Sequence, residues 1–186
     1  SIPQSDNAKV RAIKERYSLD LLSATVLERR GARSGEDLLY YLENDVIYHH
    51  SPFEAEDVPV AVDRIIDAID EDERILVFGD RDVDGVTAAA IMVRSLRKLG
   101  AKDVSYRLPM GDEPYGLTAD SVSEILEKGY TLVITVDCGI SSISEIATLE
   151  RSGVDVIVLD HHIAGDELPP AAAIFDPRVE GAGYPF

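Results

Sequence analysis

The chain has 186 residues, of which 45% are hydrophobic and 28% are charged, so it can bury a core and is neither disordered nor fibrous. Its 35 acidic residues outnumber 18 basic ones, and the net charge of −17 is unlike that of a free-standing nucleic-acid-binding domain. No apolar run approaches the roughly 20 residues of a membrane span, so we expect no membrane contact.

The single cysteine, Cys138, excludes an internal disulfide and is typical of a reducing compartment. No basic-then-apolar leader opens the sequence, so a cytoplasmic location is expected. Residues 1–33 hold seven bases and four acids, whereas residues 34–72 hold one base and twelve acids. The basic segment fits a solvated helix or a contact with a phosphate backbone.

Residues 1–72 are predicted to form a small helical appendage. Apolar residues recur at helical intervals over 18–30, and Gly31 is placed to end that helix. A second short helix is predicted over 35–42 and an amphipathic helix over 58–69.

The pattern changes near residue 74, and residues 73–186 are predicted to form a separate α/β domain. Short apolar runs predict strands over 75–78, 104–108, 132–136, 154–159 and 173–175. Helical patterns lie between them over 85–99, 119–128 and 142–153, with Thr118 as an N-cap and Ser142 with Glu145 as a capping box. This alternation predicts a mostly parallel sheet of about five strands with helices on both faces.

Polar residues follow three of the predicted strands, and parallel strands bring their carboxyl ends to one edge of a sheet. The first strand leads into Asp80, Asp82 and Asp84, which would share one face of an extended chain and repel each other unless a cation neutralises them. N-capping of the next helix would explain one of these acids but not three.

The other two strands lead into Asp137 and into Asp160-His161-His162. Asp137 either binds a cation or fixes the turn at Gly139. His161 is expected to be a metal ligand, whereas His162 fits a ligand, a phosphate contact or a support for a ligand. Carboxylates with histidine favour Mn²⁺, with Mg²⁺ also suitable.

The segment from Gly139 to Ser142 precedes a helix start, where free N–H groups bind phosphate or are simply capped. Gly139 and Ser141 are therefore candidate phosphate contacts. Cys138 is a poor candidate for a nucleophile because no activating base lies near it in the sequence.

At these residues the sequence resembles the DHH phosphoesterase superfamily, whose motif is Asp160-His161-His162, and within it the RecJ family of single-strand-specific exonucleases. The resemblance covers about residues 15–186. The motifs that carry it are VFGDRDVDGVT at 77–87, YGL at 115–117, TVDCGIS at 135–141, LPPA at 168–171, DPR at 176–178 and YPF at 184–186, with LERRG at 27–31 and AVDRI at 61–65 in the appendage.

The resemblance implies two metal ions, one held partly by Asp82 and the other by Asp84 and His161, with Asp137 bridging. Asp80 would be an additional ligand or a supporting acid. It also implies hydrolysis of single-stranded DNA from the 5′ end in recombination and repair, with Asp82, Asp84, Asp137, His161 and His162 as the catalytic set. A single-strand-binding protein and a helicase are the expected partners of the complete protein.

The sequence departs from the family pattern at several places. Arg81 replaces a usual tyrosine, Asp176 replaces a usual asparagine, and residues 110–114 differ from the usual asparagine-arginine start of that loop. The family continues beyond the position of Phe186, so the chain is expected to be weak or inactive alone. Cleavage of short RNA or a cyclic dinucleotide, and a non-catalytic scaffold, remain alternatives.

Overall fold

The computed structural model describes residues 4–32 and 35–183, so the YPF motif at 184–186 and Arg33 of the basic segment lie outside the described residues. The chain forms two compact units, Ser1–Ser51 and Pro52–Phe186. None of the helices in the described ranges combines the length and apolar content that a membrane crossing needs.

The first unit is helical. Its elements are α1 (Asn7–Tyr17), α2 (Leu21–Arg29), α3 (Glu36–Leu42) and a 3-10 turn at Val46–Tyr48. Asp6 and Asp20 cap α1 and α2, because each carboxylate accepts backbone N–H groups of the first turn. The core of this unit consists of small and aliphatic side chains, namely Val10, Ile13, Ala24, Leu27, Ala32 and Leu38.

The second unit is an α/β fold. Its elements are a 3-10 turn at Pro52–Glu54, α4 (Val58–Asp70), β1 (Arg74–Gly79), α5 (Val83–Leu99), β2 (Asp103–Arg107), α6 (Ala119–Lys128), β3 (Leu132–Val136), α7 (Ile143–Arg151), β4 (Asp155–Leu159) and β5 (Ala173–Phe175). All strand pairs are parallel, and the order is β2-β1-β3-β4-β5. The predicted α/β class, with about five mostly parallel strands, is confirmed.

Helices cover both faces of the sheet, which explains the continuous apolar runs in the central strands. On one face, Ile75 and Val77 pack with residues of α4 and α5. On the other face, Leu76 and Phe78 pack with residues of α6 and α7. Successive side chains of a strand alternate between faces, so β1 contributes to both cores.

The strand order places a topological switch point between β1 and β3. From β1 the chain passes through α5 to β2 on one side, and then through α6 to β3 on the other side of β1. Crevices at such points, beyond the carboxyl ends of the strands, are where open α/β sheets bind ligands.

Two local features differ from the sequence-based expectation. The capping box of Ser142 and Glu145 is wrong, because Ser142 makes no side-chain cap bond and its Oγ instead accepts the N–H of Leu117 at 3.3 Å. Helix α4, which was expected in the appendage, lies in the second compact unit, where Ala61 and Ala68 enter the core beneath the sheet. The compact units therefore divide earlier than the predicted boundary at residues 72 and 73.

Candidate metal centre

Four adjacent strands each carry an aspartate at the same position of their carboxyl ends. The last paired residues of β1, β3, β4 and β5 lie in one register. Each is followed directly by an acid, and these acids are Asp80, Asp137, Asp160 and Asp176. All four are buried. Because neighbouring strands lie about 4.8 Å apart, the register brings together acids that are distant in the sequence.

The segment after β1 turns into α5 sooner than expected. Asp82 is the N-cap of α5, and its carboxylate accepts the N–H of Gly85 at 3.0 Å, which lowers the pKa of Asp82. Asp84 lies in the first helical turn. The prediction that Asp80, Asp82 and Asp84 share one extended face is therefore wrong for Asp84. Gly85 allows this tight entry, since a Cβ there would collide with the backbone of Asp80.

Asp137 has the least satisfied carboxylate of the site. Its backbone is left-handed, with φ of 60°, and its N–H donates to the carbonyl of Leu159 at 2.9 Å. Both carboxylate oxygens are buried and have no hydrogen-bond partner within the described ranges. Burial, followed by the charge on Asp82, raises the pKa of Asp137. A neighbouring cation would offset both the cost of burying this charge and its repulsion from Asp82.

Asp160, in contrast, is saturated with hydrogen bonds. Its Oδ2 accepts the N–H of Ile140 at 3.0 Å, and its Oδ1 accepts the N–H groups of His161 and His162 at 2.7 and 3.2 Å. Oδ1 also lies 2.7 Å from Nδ1 of His162. Burial acts to raise the pKa of Asp160, but these hydrogen bonds hold it below its usual value. Asp160 thus shapes the loop that carries both histidines.

His162 is oriented from two sides. Its Nδ1 contacts Asp160, and this contact raises the pKa of His162. The hydroxyl of Tyr115 lies 3.0 Å from the same nitrogen and donates to the carbonyl of Asp137 at 3.1 Å. Burial raises the pKa of Tyr115, so its hydroxyl stays protonated. With Nδ1 engaged, Nε2 is the ring nitrogen of His162 left to meet a ligand.

His161 lies beside Asp137, with its Nδ1 3.3 Å from Oδ1 of that acid, and its ring stacks on His162 at 4.6 Å between centroids. An open cleft of about 460 Å³ lies at this point. Its wall includes Asp84, Asp137 and His161, together with apolar side chains of α5 and of the ends of β4 and β5. The cleft therefore places Asp84 at the same site, although on a helix.

Two groups of side chains have potential ligand atoms within 4.8 Å of one another. One consists of Asp80, Asp82 and Asp137, and the other of Asp137, Asp160, His161 and His162. Asp137 belongs to both. In the described part of the chain, Oδ1 of Asp80 and both carboxylate oxygens of Asp137 are buried without a partner. Such oxygens are what a hard divalent cation requires, so the donor set fits one.

The predicted phosphate contacts occupy the turn between β3 and α7. Gly139 has φ of 112°, and a Cβ there would lie 2.5 Å from Oγ1 of Thr135, so glycine is required by the backbone. Ser141 is exposed. One N–H of this turn, that of Ile140, is already bound by Asp160. Cys138 is buried and burial raises its pKa, which agrees with its dismissal as a nucleophile.

Two roles were missed by sequence reasoning. Asp160 is predicted at a strand end, but its role in holding His161 and His162 by hydrogen bonds is not. Tyr115 was noted for its motif but given no role, because its contacts with Asp137 and His162 join residues 22 and 47 positions away. No local pattern predicts such contacts.

Known proteins resemble this chain in sequence. The family described as "DHH family, N-terminal domain" matches residues 74–183. The single-stranded-DNA-specific exonuclease RecJ of Bacillus subtilis (strain 168) is 37% identical over 185 residues, covering 100% of this chain and 24% of that protein. The enzyme of the same description from Thermus thermophilus is 44% identical over 109 residues, covering 58% of this chain and 16% of that protein.

Solved structures also resemble this chain. A crystal structure of RecJ in complex with Mn²⁺ from Thermus thermophilus has a TM-score of 0.68 and 34% identity, covering 95% of this chain and 24% of that chain. A crystal structure of exonuclease RecJ bound to manganese has a TM-score of 0.63 and 39% identity, covering 68% of this chain and 32% of that one. The chain spans about a quarter of the length of the first curated relatives it matches.

Proposed function

Because this chain belongs to the DHH family, we propose that it carries the metal-dependent active site of a phosphodiesterase that hydrolyses single-stranded DNA from the 5′ end, in recombination and repair. The substrate is proposed from relatives described as single-stranded-DNA-specific exonucleases. The 5′ polarity is proposed from the family resemblance of the motifs.

One observation carries this proposal: Asp137 holds two buried carboxylate oxygens that no described donor satisfies, and it lies where two acidic groups meet. Leaving buried charges unpaired is costly, and proteins accept the cost where a metal pairs them. We infer that the site takes two divalent cations, Mn²⁺ or Mg²⁺, as in the solved structures of RecJ with manganese and with Mg²⁺.

The proposed metal ligands are Asp80, Asp82, Asp84, Asp137 and His161. Their arrangement in two groups around Asp137 supports a bridging role for that acid. The place of Asp84 in the cleft wall with Asp137 and His161 supports its assignment to the His161 side. Asp160 is left out of this set because its oxygens already accept four hydrogen bonds.

The proposed phosphate contacts are His162, Gly139 and Ser141. A raised pKa keeps His162 protonated nearer to neutral pH, and its Nε2 can then donate to a phosphoryl oxygen. Gly139 and Ser141 offer backbone and hydroxyl donors in the turn after Asp137. Asp160 holds the two histidines in place, and Tyr115 ties His162 to the backbone of Asp137.

Divalent cations at this site would supply positive charge for the attacking and leaving oxygens of a phosphodiester and would lower the pKa of water. The chain's own residues would place that charge: Asp80 and Asp137 follow strand ends and are buried, while Asp82 and Asp84 lie at the start of α5. For the complete protein we propose a cytoplasmic location and, as partners beyond single-stranded DNA, a single-strand-binding protein and a helicase. As a functional division, an appendage at 1–72 and a catalytic domain at 73–186 stays a proposal, although α4 packs into the core of the second compact unit.

The test combines calorimetry with MnCl₂ and digestion of a 5′-labelled DNA single strand by residues 1–186. We expect weak Mn²⁺ binding and a release of mononucleotides that is slow or absent, with EDTA abolishing any cleavage and a trinucleotide RNA as a comparison substrate. Asp103→Asn serves as a matched control, because Asp103 is an exposed acid at the opposite edge of the sheet, paired with Arg74. Failure to bind Mn²⁺, or hydrolysis that persists in EDTA, would contradict the proposal.

A further inference from the structure

Arg81 lies between two candidate metal ligands, Asp80 and Asp82, yet its guanidinium makes bonds in another part of the chain. Its Nη1 donates to the carbonyl of Gly111 at 2.7 Å, and its Nη2 donates to the carbonyl of Glu113. These carbonyls are 30 and 32 residues away in the sequence. A planar guanidinium can bind two carbonyls at once, which a lysine ammonium cannot do with the same fixed geometry.

The loop that receives these bonds is residues 110–114, which we call the β2–α6 loop segment. It is closed on itself, since the N–H of Glu113 donates to the carbonyl of Met110 at 3.2 Å and the N–H of Met110 donates to Oε2 of Glu113 at 3.0 Å. Arg107 of β2 pairs with the other carboxylate oxygen of Glu113 at 3.0 Å. Arg107 thus anchors the segment to β2, and Arg81 anchors it to the acids that follow β1.

Tyr115 follows this segment directly and reaches the centre of the site. Its hydroxyl bonds to the carbonyl of Asp137 and lies 3.0 Å from Nδ1 of His162, and its ring meets the ring of His162 edge-on at 5.4 Å. The position of Tyr115 therefore depends on where the β2–α6 loop segment is held. One short stretch of backbone separates the carbonyls that Arg81 binds from Tyr115.

We propose that Arg81 is a positioning residue that fixes the β2–α6 loop segment and, through Tyr115, sets the orientation of His162 toward the phosphate. Arg81 and the segment 110–114 contact each other through two hydrogen bonds. These bonds explain why a positively charged side chain, that of Arg81, lies between the two acids Asp80 and Asp82 in the sequence. The catalytic part of this inference rests on the proposed function, whereas the positional part does not.

The positional part is tested on residues 1–186 without metal, by amide hydrogen exchange and by NMR of the His162 ring. In Arg81→Ala we expect the amides of Met110 and Glu113 to exchange roughly tenfold faster, since two charge-assisted bonds are lost. The His162 ring protons should shift in the same direction as in Tyr115→Leu, because the ring current of Tyr115 is lost in both. Arg81→Lys should be intermediate.

Arg94→Ala is the matched control, because Arg94 is an exposed arginine of α5 outside the site. It should leave both the exchange rates and the His162 resonances unchanged. Unaltered exchange at 110–113 in Arg81→Ala, or a His162 ring that ignores this change while responding to Tyr115→Leu, would overturn the inference.

The catalytic part is tested by steady-state cleavage of a DNA single strand with Mn²⁺. We expect Arg81→Ala to lower kcat by roughly tenfold with KM nearly unchanged, because orientation acts on the reacting phosphate. In a Tyr115→Phe background the same change should cost little more, since the two residues act in series. If the effects of the two substitutions on kcat multiply, Arg81 does not act through Tyr115, and the inference is refuted. Absence of cleavage by the unmodified chain would agree with the expectation that it is weak or inactive alone, and the exchange and NMR results would then decide on Arg81.

Discussion

Replacing Asp137 with asparagine should stabilise the metal-free protein while removing its response to manganese. The carboxylate is buried, has no hydrogen-bond partner in the described structure and lies close to Asp82, so its charge is a cost when no cation is present. Relief of one such buried group is worth about 2 kcal/mol. For a chain of this length that corresponds to a rise in Tm of about 4–8 °C.

Asparagine is the right substitution because the backbone at Asp137 is left-handed, with φ of 60°. Asparagine tolerates that region better than alanine does, so Asp137→Asn changes the charge without adding strain. The two side chains are also nearly equal in volume. A change in Tm then reports on the carboxylate alone.

The assay is thermal unfolding followed by circular dichroism, in EDTA and in MnCl₂. A cation bound at one hundred times its Kd stabilises the folded protein by about 2.7 kcal/mol, which gives a clear rise in Tm for the unmodified chain. Asp137→Asn should lose most of that rise, because Asp137 belongs to both ligand groups. Asp103→Asn should keep it in full. A variant at 137 that melts no higher than the parent in EDTA, or that responds to manganese as the parent does, would refute the reasoning.

Three further expectations concern stability in the absence of metal. In EDTA, the pKa of His162 is raised from 6.5 and that of Asp160 is lowered, so the pair should stabilise the folded protein fully from about pH 6.5 down to the range where Asp160 titrates. Urea unfolding of the parent and of His162→Gln measures this contribution. The difference in the free energy of unfolding should shrink as the pH rises through the folded pKa of His162. Asp176→Asn should raise the free energy of unfolding by about 1 kcal/mol, since one oxygen of this fully buried acid has no partner in the described chain; a lower value would show that its charge is compensated. Gly139→Ala should lower the free energy of unfolding by about 3 kcal/mol, through backbone strain and collision of the new Cβ with Thr135. Gly153→Ala should lower it by only about 1 kcal/mol, because Gly153 is also left-handed but faces open space. Equal losses would contradict the close contact between residues 139 and 135.

The fold was accessible from the sequence because its signals are local. Buried strands appear as unbroken apolar runs, and Gly100 and Gly129 end helices with left-handed backbones at the predicted places. Strands β3 and β5 have the predicted bounds. The meeting of acids at one edge also followed, since it needs only parallel strands and polar residues after them.

The details of the site were less accessible because they depend on contacts between distant segments. The early start of α5 places Asp84 on a helix, and it requires the close approach of Gly85 to the backbone of Asp80. Ser142 has the sequence of a cap, but a donor from residue 117 takes its hydroxyl. Whether a side chain bonds locally or across the fold is decided by packing, which short-range patterns do not contain.

The four strand-end acids show how identical residues at one register acquire different chemistry. Asp160 has donors for both oxygens and is stable as an anion, so it can hold a loop without help. Asp137 follows the neighbouring strand and is also buried, but its carboxylate accepts no hydrogen bond in the described structure, so a cation would stabilise it. The difference comes from the loops: the loop after Asp160 turns the N–H groups of His161 and His162 back toward the carboxylate of Asp160. The turn after Asp137 gives its Ile140 N–H to Asp160 as well. The supply of local N–H groups therefore separates a structural acid from a candidate metal ligand at this edge.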